Sequence, residues 1–246
     1  MKIKAPTHLM LSAATAVALL AGIGCGDNST SPGDSDTITA VFRDGASPLP
    51  TYTGTRDAVI KNGPGYAAQS GNYGTRDVDT LGIIDIDGSL YEQRMLVKFD
   101  LTSITDCGTL ASAVLTINVT PADTNHTIWL DAYGVTVPAT YPKSWIEGFL
   151  NTGVTWLTVD GNFDWTTAGG DLLDLMVSRE VRADTVVTFE LDAVVVGSWI
   201  KTPWINHGIL LRPRTAGEAA FLYAYMRESA TAALRPELYI KYIKGG

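Results

Sequence analysis

Gln93-Arg94-Met95-Leu96-Val97-Lys98-Phe99 is the stretch on which the fold turns. Successive side chains of a strand point to opposite faces, so Met95, Val97 and Phe99 share one face and Arg94, Leu96 and Lys98 the other. Ala113-Val114-Leu115-Thr116-Ile117-Asn118-Val119 repeats the alternation, with Thr116 between Leu115 and Ile117. Working outward, residues 127–137, 185–191, 208–212, 220–227 and 236–243 are further short runs rich in β-branched and aromatic residues. Gly, Asp, Asn and Pro clusters separate them, which is turn chemistry. Roughly ten such strands in one chain predict an all-β protein: a jelly-roll-like antiparallel β-sandwich with one or two short helices. One helix is expected behind Asp192, where Val195, Val196, Trp199 and Ile200 fall on one stripe. Residues 171–179 fit either a helical turn or a strand. No internal repeat of 20–50 residues is present.

The N-terminus reads as an address. Lys2 and Lys4 precede an uncharged apolar run over residues 9–23, too short to span a bilayer and suited to a signal peptide. Leu20-Ala21-Gly22-Ile23-Gly24-Cys25 resembles the lipobox of bacterial lipoproteins, in which the cysteine is acylated and becomes the first residue. The resemblance implies an exported protein, lipid-anchored through Cys25 to the cell envelope and facing outside or the periplasm. Cleavage near Gly24 that leaves Cys25 a free thiol is the alternative. The expected division is signal peptide 1–24, flexible tether 25–37 and β-sandwich domain 38–246. The tether is polar and holds Gly, Pro and Ser with nothing to bury. With Cys25 lipidated, Cys107 is the other thiol and no disulfide forms; a Cys25–Cys107 bridge is the competing arrangement.

Charge narrows the partners. The chain has 18 basic and 26 acidic residues, a net −8, and loss of the leader with its two lysines lowers the balance to −10. Such a domain has no general electrostatic attraction for nucleic acid or an anionic membrane. Nucleic acid is excluded as a partner, and the membrane is reached through the lipid alone.

Several separated pieces then fall in a familiar order. They are Phe42-Arg43-Asp44-Gly45, Tyr52-Thr53-Gly54-Thr55-Arg56-Asp57, Asn72-Tyr73-Gly74 and Arg94 through Ile104. Trp145-Ile146-Glu147-Gly148, Gly153-Val154-Thr155-Trp156, Trp165 and Gly169-Gly170-Asp171 continue it. The helix through Trp199, then Asn206-His207-Gly208-Ile209-Leu210-Leu211 and Arg235-Pro236-Glu237-Leu238-Tyr239-Ile240, complete it. Over residues 38–243 the chain resembles the DNRLRE-domain proteins, related to the family 96 carbohydrate-binding modules. The resemblance implies a secreted jelly-roll sandwich that accompanies polysaccharide-processing proteins, some members binding an acidic polysaccharide such as alginate.

Candidate ligand-binding residues follow from what a glycan offers. A pyranose stacks its apolar face on an aromatic ring, while its hydroxyls and carboxylates take hydrogen bonds and charges. Arg94 and Lys98 share a strand face, and Arg212 and Arg227 join them if their strands are neighbours. Tyr223 and Tyr225 alternate toward Arg227, and Trp204, beside Pro203, is the tryptophan expected to be exposed. Trp145, Trp156 and Trp165 are expected instead to anchor the core or its loops. The plain alternative for the charged residues is a solvated face with ion pairing to Glu190, Asp192 or Glu228.

No cofactor is expected, apart from a structural calcium for which Asp77, Asp79, Asp85 and Asp87 are weak candidates. Asp85-Ile86-Asp87-Gly88 has the start of a calcium loop without its later ligands, and hairpin turn chemistry accounts for the same residues. Catalytic signals are thin. Beyond His8 only His126 and His207 exist, with no HExxH, G-x-S-x-G, G-x-G-x-x-G or Walker sequence. The expected function is a lipid-anchored extracellular, non-catalytic polysaccharide-binding module. The alternatives are a structural or adhesive envelope lipoprotein with protein partners, and a polysaccharide lyase or glycosidase.

Overall fold

In the computed structural model, which describes residues 37–65, 69–122, 127–141, 143–148, 152–214 and 217–245, the alternating stretches are strands. They run β1 (Thr37–Phe42), β2 (Thr55–Lys61), β3 (Val78–Ile86), β4 (Ser89–Phe99), β5 (Cys107–Pro121) and β6 (Ile128–Thr136). The chain continues through β7 (Asp171–Val181), β8 (Val186–Leu191), α1 (Ala193–Lys201), β9 (Ile209–Pro213), β10 (Ala220–Tyr225) and β11 (Glu237–Lys244). Among the described residues every strand pairing is antiparallel. One sheet is β1-β11-β5-β8 and the other β10-β3-β4-β9-β6-β7, with β2 along β4. The long β5 belongs to both: residues 113–118 lie between β11 and β8, and 119–121 lie beside β10.

The sandwich closes because β5 obeys strict alternation. Ala113, Leu115, Ile117 and Val119 are buried, while the residues between them face outward. They pack against Phe42, Met95, Val97, Phe189, Leu211, Leu238 and Ile240 in one core between the sheets. Each such side chain contributes about 1.5–3 kcal/mol through removal from water. α1 caps that core as its sequence predicts: the Asp192 carboxylate accepts from Val194 and Val195 N–H at 2.7 and 3.2 Å, and Val196, Trp199 and Ile200 are buried.

β4 departs from the expected polar outer face. Gln93 through Val97 are all buried, so both faces of the strand are covered. Leu96 is 0% exposed and belongs to a second core with Ala58, Ile60, Val135 and Leu210. The segment between β6 and β7 roofs that face with Tyr141, Trp145, Val154, Trp156, Val159 and Trp165, and these tryptophans anchor as expected. Two indoles donate inward, Trp145 Nε1 to the His207 carbonyl at 2.7 Å and Trp165 Nε1 to the Thr155 carbonyl at 3.0 Å.

Two local expectations resolve. Residues 171–179 are strand, part of β7 at the edge of its sheet. The Asp77–Gly88 region is not a pair of turns but strand β3 with one tight turn after it. Asp79 and Asp85 stand six residues apart on that strand, roughly 20 Å by strand rise, so the four aspartates build no common calcium site. Asp79 pairs with Lys61 at 2.5 Å, and Asp85 accepts from Gly88 N–H at 2.8 Å, closing a turn in which Asp87 takes a φ of 53°.

A roofed outer face makes a direct prediction. Leu96→Ala is expected to cost about 2–5 kcal/mol in equilibrium urea unfolding, the range for a buried leucine. A change within about 0.5 kcal/mol, the range of surface substitutions, contradicts the roof.

Candidate functional site

Roofing splits the expected basic face into two openings. At one end Arg94 lies buried against Trp156, guanidinium to ring centroid 4.4 Å. It pairs with Glu92 and donates from Nη1 to the Gly169 carbonyl at 2.7 Å. The register Met95↔Leu211 sets Arg212 beside it, and Arg212 Nε reaches the same Glu92 at 3.3 Å. Arg94 and Arg212 therefore do meet, but one carboxylate already serves both. They line a cleft of about 530 Å³ with Thr136, Thr166 and Thr167.

At the other end Lys98 stands across from Arg56 in the β2–β4 register. Both line a groove of about 540 Å³ with Tyr52, Thr53 and Asp100. Arg56 donates from Nη1 to the Thr53 and Thr55 carbonyls at 2.8 and 2.6 Å, which holds it at the rim. Lys98 forms no ion pair among the described residues. Burial lowers its pKa, with Arg56 adding to that and Asp100 opposing it. The Tyr52 hydroxyl is fixed on the Asp100 backbone, accepting from its N–H at 3.1 Å, and burial raises its pKa. Trp204 is 77% exposed, as expected. It sits two residues before Asn206, whose side chain donates to the Phe99 carbonyl at 2.9 Å, so the segment that carries it lies against this end of β4.

Arg227 belongs to neither opening. β10 ends at Tyr225, so the alternation expected to align Tyr223, Tyr225 and Arg227 does not extend to the arginine. Arg227 lies in the following turn, and its Nε meets Glu147 at 2.6 Å and Glu228 at 2.9 Å, while Nη1 meets Asp44 at 3.3 Å. Its backbone N–H donates to Asp57 Oδ2 at 2.7 Å. Tyr223 stays outside, 41% exposed and edge-on to Phe221 at 5.7 Å, away from any cation contact among the described residues. Tyr225 is half-buried opposite Val78.

The node around Arg227 also finishes the edge of a sheet. β2 has β4 on one side, and two of its outward amides go to carboxylates: Thr55 N–H to Asp44 at 3.3 Å and Asp57 N–H to Glu147 at 2.9 Å. Glu147 is placed by Asn72, whose amide donates to the Glu147 and Val154 carbonyls at 2.7 and 2.8 Å. Gly74 permits the approach, since a Cβ there would lie 2.3 Å from the Glu147 carbonyl oxygen. Gly148 takes a φ of +80°, the left-handed region that favours glycine. Crowding shows in the acids. Desolvation raises Asp57 well above the ordinary carboxylate range, with Glu228 and Glu147 adding to it. Desolvation likewise raises Glu147, and it pushes Glu228 up to about 7 against the pull of Arg227.

Sequence reasoning missed Tyr52, Arg56, Asp57, Glu147 and Glu228 as site residues. They stand in short charged pieces far apart in the chain, with no fixed spacing to connect them. Cys25 lies outside the described residues, as does His126. No family model matches the chain, and neither does any curated protein searched.

Glu228 yields a pH prediction. Its folded pKa of about 7 lies above the ordinary 4.5, so the folded state holds the extra proton between those values. Stability then falls as pH rises through that window, and the penalty is complete above it. In chelator, Glu228→Gln is expected to melt higher than the parent at pH 8 and alike at pH 4.5, by thermal denaturation. Parallel profiles at both pH values contradict it.

Proposed function

We propose that this protein is a lipid-anchored, extracellular, non-catalytic polysaccharide-binding module that takes an acidic polysaccharide along the Tyr52–Arg56–Lys98 groove. The observation that carries this reading is Lys98, a half-buried ammonium beside Arg56 that makes no ion pair within 4 Å among the described residues, with Asp100 acting on it from farther off. A charge held partly out of water without a close partner is costly, and a uronate carboxylate supplies a counter-charge at contact distance. Trp204 offers a ring for stacking near the same end of β4, and Thr51 and Thr53 offer hydroxyl contacts. The net negative charge of the chain makes such a local basic spot necessary for an acidic glycan to approach. The resemblance to DNRLRE-domain proteins supports the same class, and the lipobox-like run ending in Cys25 supports the anchor. Single-site affinity of such a groove is weak, and anchoring many copies on one surface raises avidity.

A non-catalytic role is favoured because the paired acids are closed off: Asp57 has no exposed surface, Glu147 is buried, and Arg227 occupies them both. The second reading, adhesion to a protein partner, has one observation in its favour. Val194, Trp204 and Ile205 are exposed at 83, 77 and 40%.

Retention on an array of acidic and neutral glycans tests the proposal. Binding to acidic glycans is expected, weakened about 10-fold or more by Arg56→Ala with Lys98→Ala, the loss of a charged hydrogen bond. Trp204→Ala weakens it further, whereas Tyr223→Ala leaves it unchanged. A folded protein that binds no glycan contradicts the proposal. Labelled palmitate entering the chain, and failing to enter Cys25→Ala, tests the anchor separately.

A further inference from the structure

The carboxylates around Arg227 are more numerous than its one guanidinium requires. Asp57, Glu147 and Glu228 each place one oxygen within 4.8 Å of the others'. Asp57 is 0% exposed, and its Oδ1 has no hydrogen-bond partner although Oδ2 takes the Arg227 N–H. Glu228 Oε2 is likewise buried without a partner, while its Oε1 holds Arg227. A buried carboxylate oxygen left unpaired costs the full desolvation of that atom, so two of them on members of one cluster call for a ligand. The ligand has to be a cation.

We propose that Asp57, Glu147 and Glu228 form a calcium site that ties the roof to the sandwich. Charge fits: ionised, three carboxylates against Arg227 lack two positive charges, which one divalent ion supplies, while Asp44 and Arg56 at the margin offset each other. Coordination geometry selects the ion. Carboxylates brought from three separate segments suit the flexible, irregular oxygen coordination of calcium better than the near-ideal octahedron that magnesium demands. The donor set is all oxygen, as hard cations require. The three ligands come from β2, the roof and the turn after β10, so the ion joins segments far apart in the chain. This site is distinct from the four aspartates of the β3 region and from the glycan groove.

The test uses the whole exported protein stripped with chelator. Equilibrium dialysis against radioactive calcium is expected to give one ion per chain, and none for Glu228→Gln. Calcium at millimolar concentration is expected to raise the melting temperature by several degrees, with magnesium doing much less and Glu228→Gln losing the rise. Asp85→Asn, which alters a distant turn, keeps both effects. Absence of calcium binding by the parent, or equal binding by Glu228→Gln, overturns the proposal. A shift of the same size with magnesium overturns the choice of ion.

Discussion

Arg227, held among Asp44, Asp57, Glu147 and Glu228, is the contact through which the parts of this molecule are joined. Asp44 follows the first strand, Asp57 lies on the edge strand β2, Glu147 belongs to the roof, and Glu228 follows β10. No stretch of local structure brings these four together; the closed sandwich does. A buried ion pair adds little when compared with a well-packed apolar replacement, but removing one partner strands the others at about 3–5 kcal/mol. The node therefore acts less as a source of stability than as a specification. It fixes where the edge of β2 ends and where the roof comes down. Its carboxylates occupy the outward amides of Thr55 and Asp57 at the start of β2, where they block the pairing that an exposed edge invites.

Roof and node depend on each other. An outer face carrying Ala58, Ile60, Leu96 and Leu210 has to be covered, and the 138–170 segment covers it with three tryptophans. Arginines pin that segment at two places: Arg94 against Trp156 and the Gly169 carbonyl, and Arg227 against Glu147. The basic residues that sequence alternation assigned to one open face are thereby divided between a cleft, a groove and a buried cluster. Arg94 became a structural residue, while Lys98 stays half-buried with no ion pair within 4 Å among the described residues. The proposed groove sits where the roof stops.

Much of the sandwich could be read from the chain because β5 over residues 113–119, β8 and α1 each follow a single period. The roof could not, since residues 138–170 have no period and are held by contacts to distant strands. Yet one signal was present. Leu96 stands between Arg94 and Lys98, and β2 and β9 contain the unbroken apolar runs Ala58-Val59-Ile60 and Ile209-Leu210-Leu211. Continuous apolar strands are those buried on both faces, and three of them side by side require a cover. The acidic node left fainter traces. Asp57 and Glu147 sit in pieces of the family-like order, but nothing in their spacing says that they touch across 90 residues. The aspartates that looked most like metal ligands are spread along one strand, because proximity in sequence is not convergence in a sheet.

Hydrogen exchange read by mass spectrometry in Arg227→Met, compared with the parent, tests the central claim that this arginine locks the roof to the sheet. The account predicts faster exchange in β2 and in peptides spanning 144–170, with β5 and β11 still protected. Unchanged exchange in the roof, or a uniform loss across all strands, would contradict it.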